Sequence, residues 1–405
     1  MADTSANLRV DAGPVEGIVL ILPSFLAIMG GIVLVPILPQ MAREYAGTPN
    51  LPFLIQTILT IPSLMVVLCS PIAGVLGDRY GRKRLLLGSM LIYSLLGLSP
   101  LVLTSIYIVL ASRVLLGVVE AAVLVLATTL LGDAFSGIAR NRWFGYQIGG
   151  GALVAIPLLS LSGYLGQFGW RFSFLIYGLP LIMFFLVLLI AKERSGRESA
   201  DDDDIGVAAG FPWRHMVVVG AVSLFASISF FVLQLQQGLA ITEVGVTSPE
   251  RIGNLTALAS IGAPVGTVLF RFVAHRRPSF LLCCGFSGAA VGLLGVALAP
   301  TSGWTVAAIF VGLVGTNIVL PTMLAWAARG LSHAYRARGI GIWQGVFAVG
   351  QFVSAMIFGW SMSALGGAKM AFALVGASVA IAAVIAAGLT IFHRIRDARL
   401  GALPA

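Results

Sequence analysis

Gly74-Val75-Leu76-Gly77-Asp78-Arg79-Tyr80-Gly81-Arg82-Lys83 stands between two long apolar runs, at about 51–76 and 85–103. Four charged residues and three glycines in ten positions cannot extend a span through hydrocarbon, because each charge at mid-depth costs roughly 2.5–3.5 kcal/mol. The stretch reads as a tight charged hairpin at which the chain leaves a membrane and turns back into it. On either side the pattern continues, with further apolar runs at about 17–41, 105–131, 144–163, 172–191, 214–238, 252–273, 279–299, 303–328, 340–364 and 370–392. Each can cross about 30 Å of hydrocarbon as a helix. The runs are continuous and do not alternate, which excludes barrel strands. The expected fold class is an all-α membrane protein of twelve transmembrane helices.

Composition agrees. Of 405 residues, 58% are hydrophobic and 10% charged, too few charges to cover a soluble surface of this size. The net charge of +9 first suggests nucleic acid, but its distribution excludes that partner. With both termini cytoplasmic, 20 of the 25 Lys and Arg fall in the tails and even-numbered loops. Arg43, Arg171, Arg251 and Lys369 lie on the opposite side and Arg113 lies within a span. This asymmetry is the positive-inside pattern, and it implies a multi-pass protein of the cytoplasmic (inner) membrane. The N-terminal tail carries Asp3, Asp11 and Glu16 against one Arg9, unlike a cleaved signal peptide. Cys69, Cys283 and Cys284 all lie in apolar spans and read as small buried hydrophobes.

The expected organisation is a cytoplasmic tail (1–16), a first six-helix bundle (17–191), a cytoplasmic linker (192–213), a second six-helix bundle (214–392) and a second tail (393–405). The linker holds the run Asp201–Asp204, read as a solvated charge block. The halves look duplicated. Gly74…Arg79 is echoed by Gly266…Arg271, Arg142-x-x-Gly145 by Arg338-x-x-Gly341, and Gly169-Trp170-Arg171-Phe172 by Gly367-Ala368-Lys369-Met370. Three features recurring at nearly one spacing argue for a six-plus-six repeat with a cavity between the halves.

The hairpin pattern Gly74-x-x-x-Asp78-Arg79-x-Gly81-Arg82-Lys83, with Arg113-x-x-x-Gly117 in the fourth span, resembles the signature of the major facilitator superfamily. The resemblance covers the whole chain, and around Gly339–Phe352 it is nearest to bacterial drug and metabolite:proton antiporters. It implies a secondary transporter working by alternating access, with no cofactor and no metal. It also assigns the hairpin residues Gly74, Asp78, Arg79, Gly81, Arg82 and Lys83 to a conformational gate. By that resemblance Asp78 clasps the start of the eleventh span, near Gly339–Gly341, when the carrier faces outward. From the residues alone, Asp78 sits unfavourably at the C-terminal end of its helix and wants a partner, either Arg79 or another helix's N-terminus. A purely topogenic hairpin is the competing reading. The fifth span departs from the superfamily's antiporter motif, since Ile156-Pro157-Leu158-Leu159-Ser160-Leu161 keeps only the proline. Gly149-Gly150-Gly151 stands nearby as a replacement for the lost glycines.

Of sixteen acidic residues one lies deep in a span, Glu120; of the bases, Arg113. Seven positions separate them, which places both on one helix face about 10.5 Å apart along the axis. Their attraction there is roughly 1.5 kcal/mol at an effective dielectric near 20, without a direct salt bridge. Intramembrane charges of this kind face wet cavities and mark proton or substrate pathways. Glu120 is therefore expected to alternate between holding a proton and contacting substrate. By resemblance, Arg113 occupies the position of an arginine implicated in proton movement. The competing reading makes Glu120 a permanently protonated packing residue. Gln56, Glu120, Gln234, Gln237, Asn317, Trp343 and Gln344 are the substrate-binding candidates, a mixed set suited to amphipathic or cationic molecules.

The expected function is proton-coupled efflux of such a molecule by a monomer whose partners are substrate, protons and the bilayer. Uptake with a co-moving proton is the alternative, and a non-transporting receptor or sensor the alternative from another class. A membrane enzyme is excluded because His215, His275, His333 and His393 lie at cytoplasmic ends and the spans hold almost no acids.

Overall fold

The computed structural model describes residues 12–192, 211–329, 331 and 333–399. Among these, twelve helices are long and apolar enough to cross a membrane, and no strand occurs. They are α1 (Pro14–Ile32), α2 (Leu51–Tyr80), α3 (Arg82–Leu101), α4 (Ile106–Ala134), α5 (Gly137–Gly166), α6 (Trp170–Ile190), α7 (Trp213–Leu235), α8 (Pro249–Val273), α9 (Pro278–Ala297), α10 (Ser302–Arg329), α11 (Gly339–Leu365) and α12 (Ala368–His393). Continuous apolar runs become helices because only intrasegment hydrogen bonding satisfies the backbone in hydrocarbon. The run Asp201–Asp204 and most of the 192–213 linker lie outside the described residues.

Several helices are interrupted, each for a local reason. In α1, Leu22–Phe25 forms a 3-10 turn around Pro23, which lacks the amide a regular α-turn would use. Between α2 and α3, Gly81 turns the chain at φ 92°, a conformation that side chains resist. Beyond α1 and α7 come two short helical segments, Leu38–Glu44 and Gln237–Thr242.

Two large hydrophobic cores form, beside a small cluster of Ile241, Val246 and Ile252. One gathers side chains from α1 to α6, with Leu235 and Ala257 at its margin; the other is drawn from α7 to α12. Within each half, small residues let backbones touch, as lipid-embedded helices require when no hydrophobic force drives them together. Gly292 faces the Cα of Gly312 and Gly288 that of Gly315, which seats α9 on α10; Gly117 of α4 lies against the backbone of Pro62 in α2.

The two halves meet along α2 with α11, α5 with α8, and Leu38–Glu44 with Gln237–Thr242. The close backbone approaches between them cluster at the end opposite the Gly74–Lys83 hairpin, called here the far end. Gly163 in the last turn of α5 meets Gly253 near the start of α8, and Gly238 sits under the Val35 carbonyl. At the hairpin end the glycines Gly145 and Gly149 of α5, and Gly341 and Gly345 of α11, have open space beside them. The halves are thus sutured at one end.

Candidate functional site

The charged pair of α4 lies inside the first bundle. Arg113 is wholly buried, and its Nη1 donates to the Tyr177 hydroxyl at 2.8 Å. Its guanidinium also lies 4.9 Å from the ring centroids of both Phe174 and Tyr177. Two tyrosines tie this cage to α1, since Tyr177 donates to the Met29 carbonyl (3.3 Å) and Tyr93 to that of Leu26 (2.8 Å). A delocalised cation can be kept out of water this way because aromatic faces and a hydroxyl replace part of its hydration.

Glu120 is 3% exposed and packs against Gly30 of α1, where a Cβ would stand 2.9 Å from its Oε2. Glycine here makes room for a carboxyl. The next residue, Gly31, faces Leu235 and Gln351 of the second half. The Gly30-Gly31 step therefore stands between Glu120 and the facing half, and Glu120 is not on an open central surface. Among the described residues its Oε2, like Nε and Nη2 of Arg113, has no hydrogen-bond partner. Buried polar atoms left so call for an explanation, such as a bound water or a functional role. A carboxyl without a fixed partner can gain or lose a proton without breaking a bond to the protein.

Towards the hairpin end of the same bundle, the Gln147 amide donates to Ser24 Oγ (2.7 Å) and Thr128 Oγ1 (2.8 Å), joining α5, α1 and α4. Sequence reasoning passed over Gln147. The available signal was Thr128, eight residues beyond Glu120 and so near the same helix face.

At the hairpin, Arg82 is the hub. It donates to Asp78 through Nε (3.1 Å) and Nη2 (2.7 Å), and through Nη1 to Asp133 at the end of α4 (2.5 Å). Asp78 is thus held by Arg82, four residues on, and by neither Arg79 nor a helix N-terminus. The turn at Gly81 folds Arg82 back over the end of α2. Arg79 lies over the Tyr80 ring instead. Lys83 donates to the carbonyls of Leu188 (3.0 Å) and Ala191 (2.6 Å), which caps the end of α6. Gly74 faces Val125 of α4. Among the described residues the bonds of Asp78 run to Arg82, and Gly341 has open space beside it, so no clasp between Asp78 and Gly339–Gly341 is closed in this conformation. Asp133 was not singled out from sequence, because a lone acid at a helix end has no motif.

The polar candidates of the spans fall apart spatially. Gln56 of α2 and Gln236, at the end of α7, exchange two amide hydrogen bonds across the halves (3.1 and 2.7 Å). Gln237 donates to the Gln234 carbonyl (3.0 Å) and to Ser260 (3.3 Å), and Asn317 to the Leu313 carbonyl (2.8 Å). Trp343 donates to Ser223 (2.9 Å) and stacks on Phe347, whereas Gln344 is exposed. In the fifth span, Gly150 and Gly151 admit Phe25 and Ile28 of α1.

The sequence matches the Major Facilitator Superfamily over residues 20–246, more than half of the chain. The chain belongs to this superfamily. Like other members of the superfamily it is a multi-pass membrane transporter rather than an enzyme. Among its relatives is the class D tetracycline resistance protein of Salmonella ordonez, 27% identical over 78% of this chain and 81% of the relative. The class B tetracycline resistance protein of Escherichia coli is 26% identical over 73% of this chain and 75% of the relative. The bacillibactin exporter of Bacillus subtilis (strain 168) is 36% identical, over 27% of this chain and 28% of its own. Among solved structures, a bacterial homologue of the human lysosomal transporter Spinster, inward-facing and occupied, superposes with a TM-score of 0.73 at 16% identity, over 93% of this chain and 95% of that one. The D-xylose–proton symporter gives 0.71 at 13% identity, over 91% and 96%. These structural likenesses establish the superfamily fold, with its two pseudo-symmetric six-helix bundles.

Proposed function

We propose that this transporter exports a small amphipathic or cationic molecule across the cytoplasmic membrane in exchange for protons. The first bundle (17–191) and the second (214–392) would rock about the interface between them, joined by the 192–213 linker. Both tails, 1–16 and 393–405, would lie in the cytoplasm, where the Lys and Arg excess places the hairpin. The state described above, sutured at the far end, would then be the one that receives substrate from the cytoplasm.

The single observation carrying the proton step is Glu120, the one carboxyl deep in a span, buried against Gly30 with Oε2 unpartnered. Its neutral form suits a site sealed from water, and its charged form requires hydration or a cation. Arg113 in the same bundle would attract the carboxylate left when the proton departs. Because Gly30-Gly31 separates Glu120 from the second half, protonation would act on substrate through the packing of α1. The exposed Gln344 would meet substrate from the second half, as would Gln234, whose buried Oε1 has no partner among the described residues, with Trp343, Gln56, Gln237 and Asn317 available once their present bonds open. Efflux as the direction is supported by the tetracycline resistance relatives and the bacillibactin exporter.

Proteoliposomes with an acid lumen and a neutral exterior test this reading with tetracycline or ethidium as probe. Antiport is expected to concentrate the probe in the lumen, and a protonophore to abolish that. Accumulation only with an acid exterior would establish symport instead, and flux indifferent to the pH gradient would remove proton coupling. Glu120→Gln is expected to retain downhill probe flux and to lose its dependence on the gradient.

A further inference from the structure

The suture at the far end contains one polar feature that packing does not require. Gln56 lies in the second turn of α2 and Gln236 just past the last turn of α7, 180 residues away in the other half. Each side chain is 1% exposed. Gln56 Nε2 donates to Gln236 Oε1 at 3.1 Å, and Gln236 Nε2 returns the bond to Gln56 Oε1 at 2.7 Å. The result is a closed amide dimer, which survives exchange of O and N on both partners. The local sequence aims both groups. Gln236 occupies the break between α7 and Gln237–Thr242, at φ −98° and ψ 3°, and Gly359 of α11 leaves space against the Gln56 side chain.

We infer that the Gln56–Gln236 amide dimer is the latch of the far-end gate, setting how readily the transporter leaves the far-closed state. This rests on alternating access, not on proton coupling or direction of transport. Around the dimer, the halves touch backbone to backbone at Gly163–Gly253 and Val35–Gly238, contacts that cannot slide and must separate as a body when the far end opens. Separation breaks both amide bonds at once and admits water to the freed groups. Closure needs both partners, because a lone amide buried in this seam loses its water and gains nothing in return. The latch is therefore asymmetric to mutation. Removing one glutamine leaves the other orphaned and disfavours closure, whereas replacing both by apolar side chains of like size comes close to neutral.

The test is a double-mutant cycle read by conformation. On a background with Cys69, Cys283 and Cys284 replaced by alanine, spin labels at Ala46→Cys and Ala364→Cys report the separation of the halves at the far end by electron–electron resonance. Gln56→Leu and Gln236→Leu, each alone, are expected to lower the far-closed to far-open ratio roughly tenfold. The double Gln56→Leu/Gln236→Leu variant is expected to recover most of the parent ratio, which a general packing defect would not do. Single variants with the parent distance distribution, or a double variant as open as the singles, would overturn the latch. Label separations that stay constant in every variant and with tetracycline present would instead count against alternating access itself. Loss of pH-driven flux in Glu120→Gln beside a failed cycle would leave the transport reading intact and the latch refuted.

Discussion

Gly30 carries a chemical load out of proportion to its size. A side chain there would enter the space of the Glu120 carboxyl, so Gly30→Val is expected to abolish pH-driven flux and to lower stability by about 1–3 kcal/mol. Thermal unfolding in detergent and proteoliposome flux measure the two effects. Adding Glu120→Ala should restore the stability but not the flux, because the room returns while the proton carrier does not. Arg113 is a different case. Its charge is accommodated by shape, with a planar group between two rings and one bond to Tyr177. Arg113→Lys keeps the charge and loses that fit, and a decrease of roughly 1–2 kcal/mol in thermal stability is expected. That the spans hold a lone acid and a lone base, both buried, was legible from residue type and depth. Which neighbours they have was not, since Tyr177, Tyr93 and Gly30 come from three other helices.

At the level of helices, the hairpin and the far-end seam show two ways of ending a span. The hairpin does so with charge, through Arg82 bridging Asp78 and Asp133 and Lys83 capping α6. The seam does so with absence of side chains. Gly163→Leu would drive a branched side chain into Gly253 and the Pro249 carbonyl of α8. The expected result is a correctly folded protein that cannot close its far end. A cysteine at Ala46 should then react faster with a membrane-impermeant maleimide than in the parent, and flux should be lost. The hydropathy pattern located most helix ends closely because each span answers separately to the bilayer, but it carried the first span on to 41, where the helix stops at Ile32, and started the fifth at 144, where the helix begins at Gly137. The hairpin motif likewise pointed to Arg82 as important. It did not disclose Asp133 as the partner, 51 residues on, because that pairing exists only once α4 has packed against α2.

Over the whole molecule, each end of the first bundle carries an ion cluster, Arg82 with Asp78 and Asp133 at the hairpin and Arg171 with Glu44 at the far end. Arg171 Nη2 lies 2.7 Å from Glu44 Oε1, its Nη1 donates to Oε2 at 2.9 Å, and the Trp170 indole donates to the same Oε2 at 2.6 Å. The Arg171 bond holds the Glu44 carboxyl below the usual glutamate range; partial burial opposes it and the indole adds to it. A depressed carboxyl contributes stability that is complete above its unfolded value, about 4.3, and is lost as pH falls through the lower folded value. Thermal stability is therefore expected to decline below about pH 4.3, and Glu44→Gln to flatten that decline. The cluster is partly solvent-exposed, so the effect should be small and should shrink in high salt.

Twelve spans, their order, the duplicated halves and the charged hairpin were all present in the linear chain. The bilayer imposes them one segment at a time, through the cost of unsatisfied backbone and misplaced charge, and a local cost can be read locally. Glu120 and Arg113 stood out for the same reason. Their seclusion behind α1, the Arg82–Asp133 bridge and the Gln56–Gln236 dimer were settled only when the helices packed. Glutamines in apolar helices look alike in sequence, whether they meet substrate, a carbonyl or one another. Directional bonds between distant segments have no period and no fixed spacing, and which of two equivalent amides finds a partner depends on the rotation and depth of helices that pack against each other only in the assembled fold.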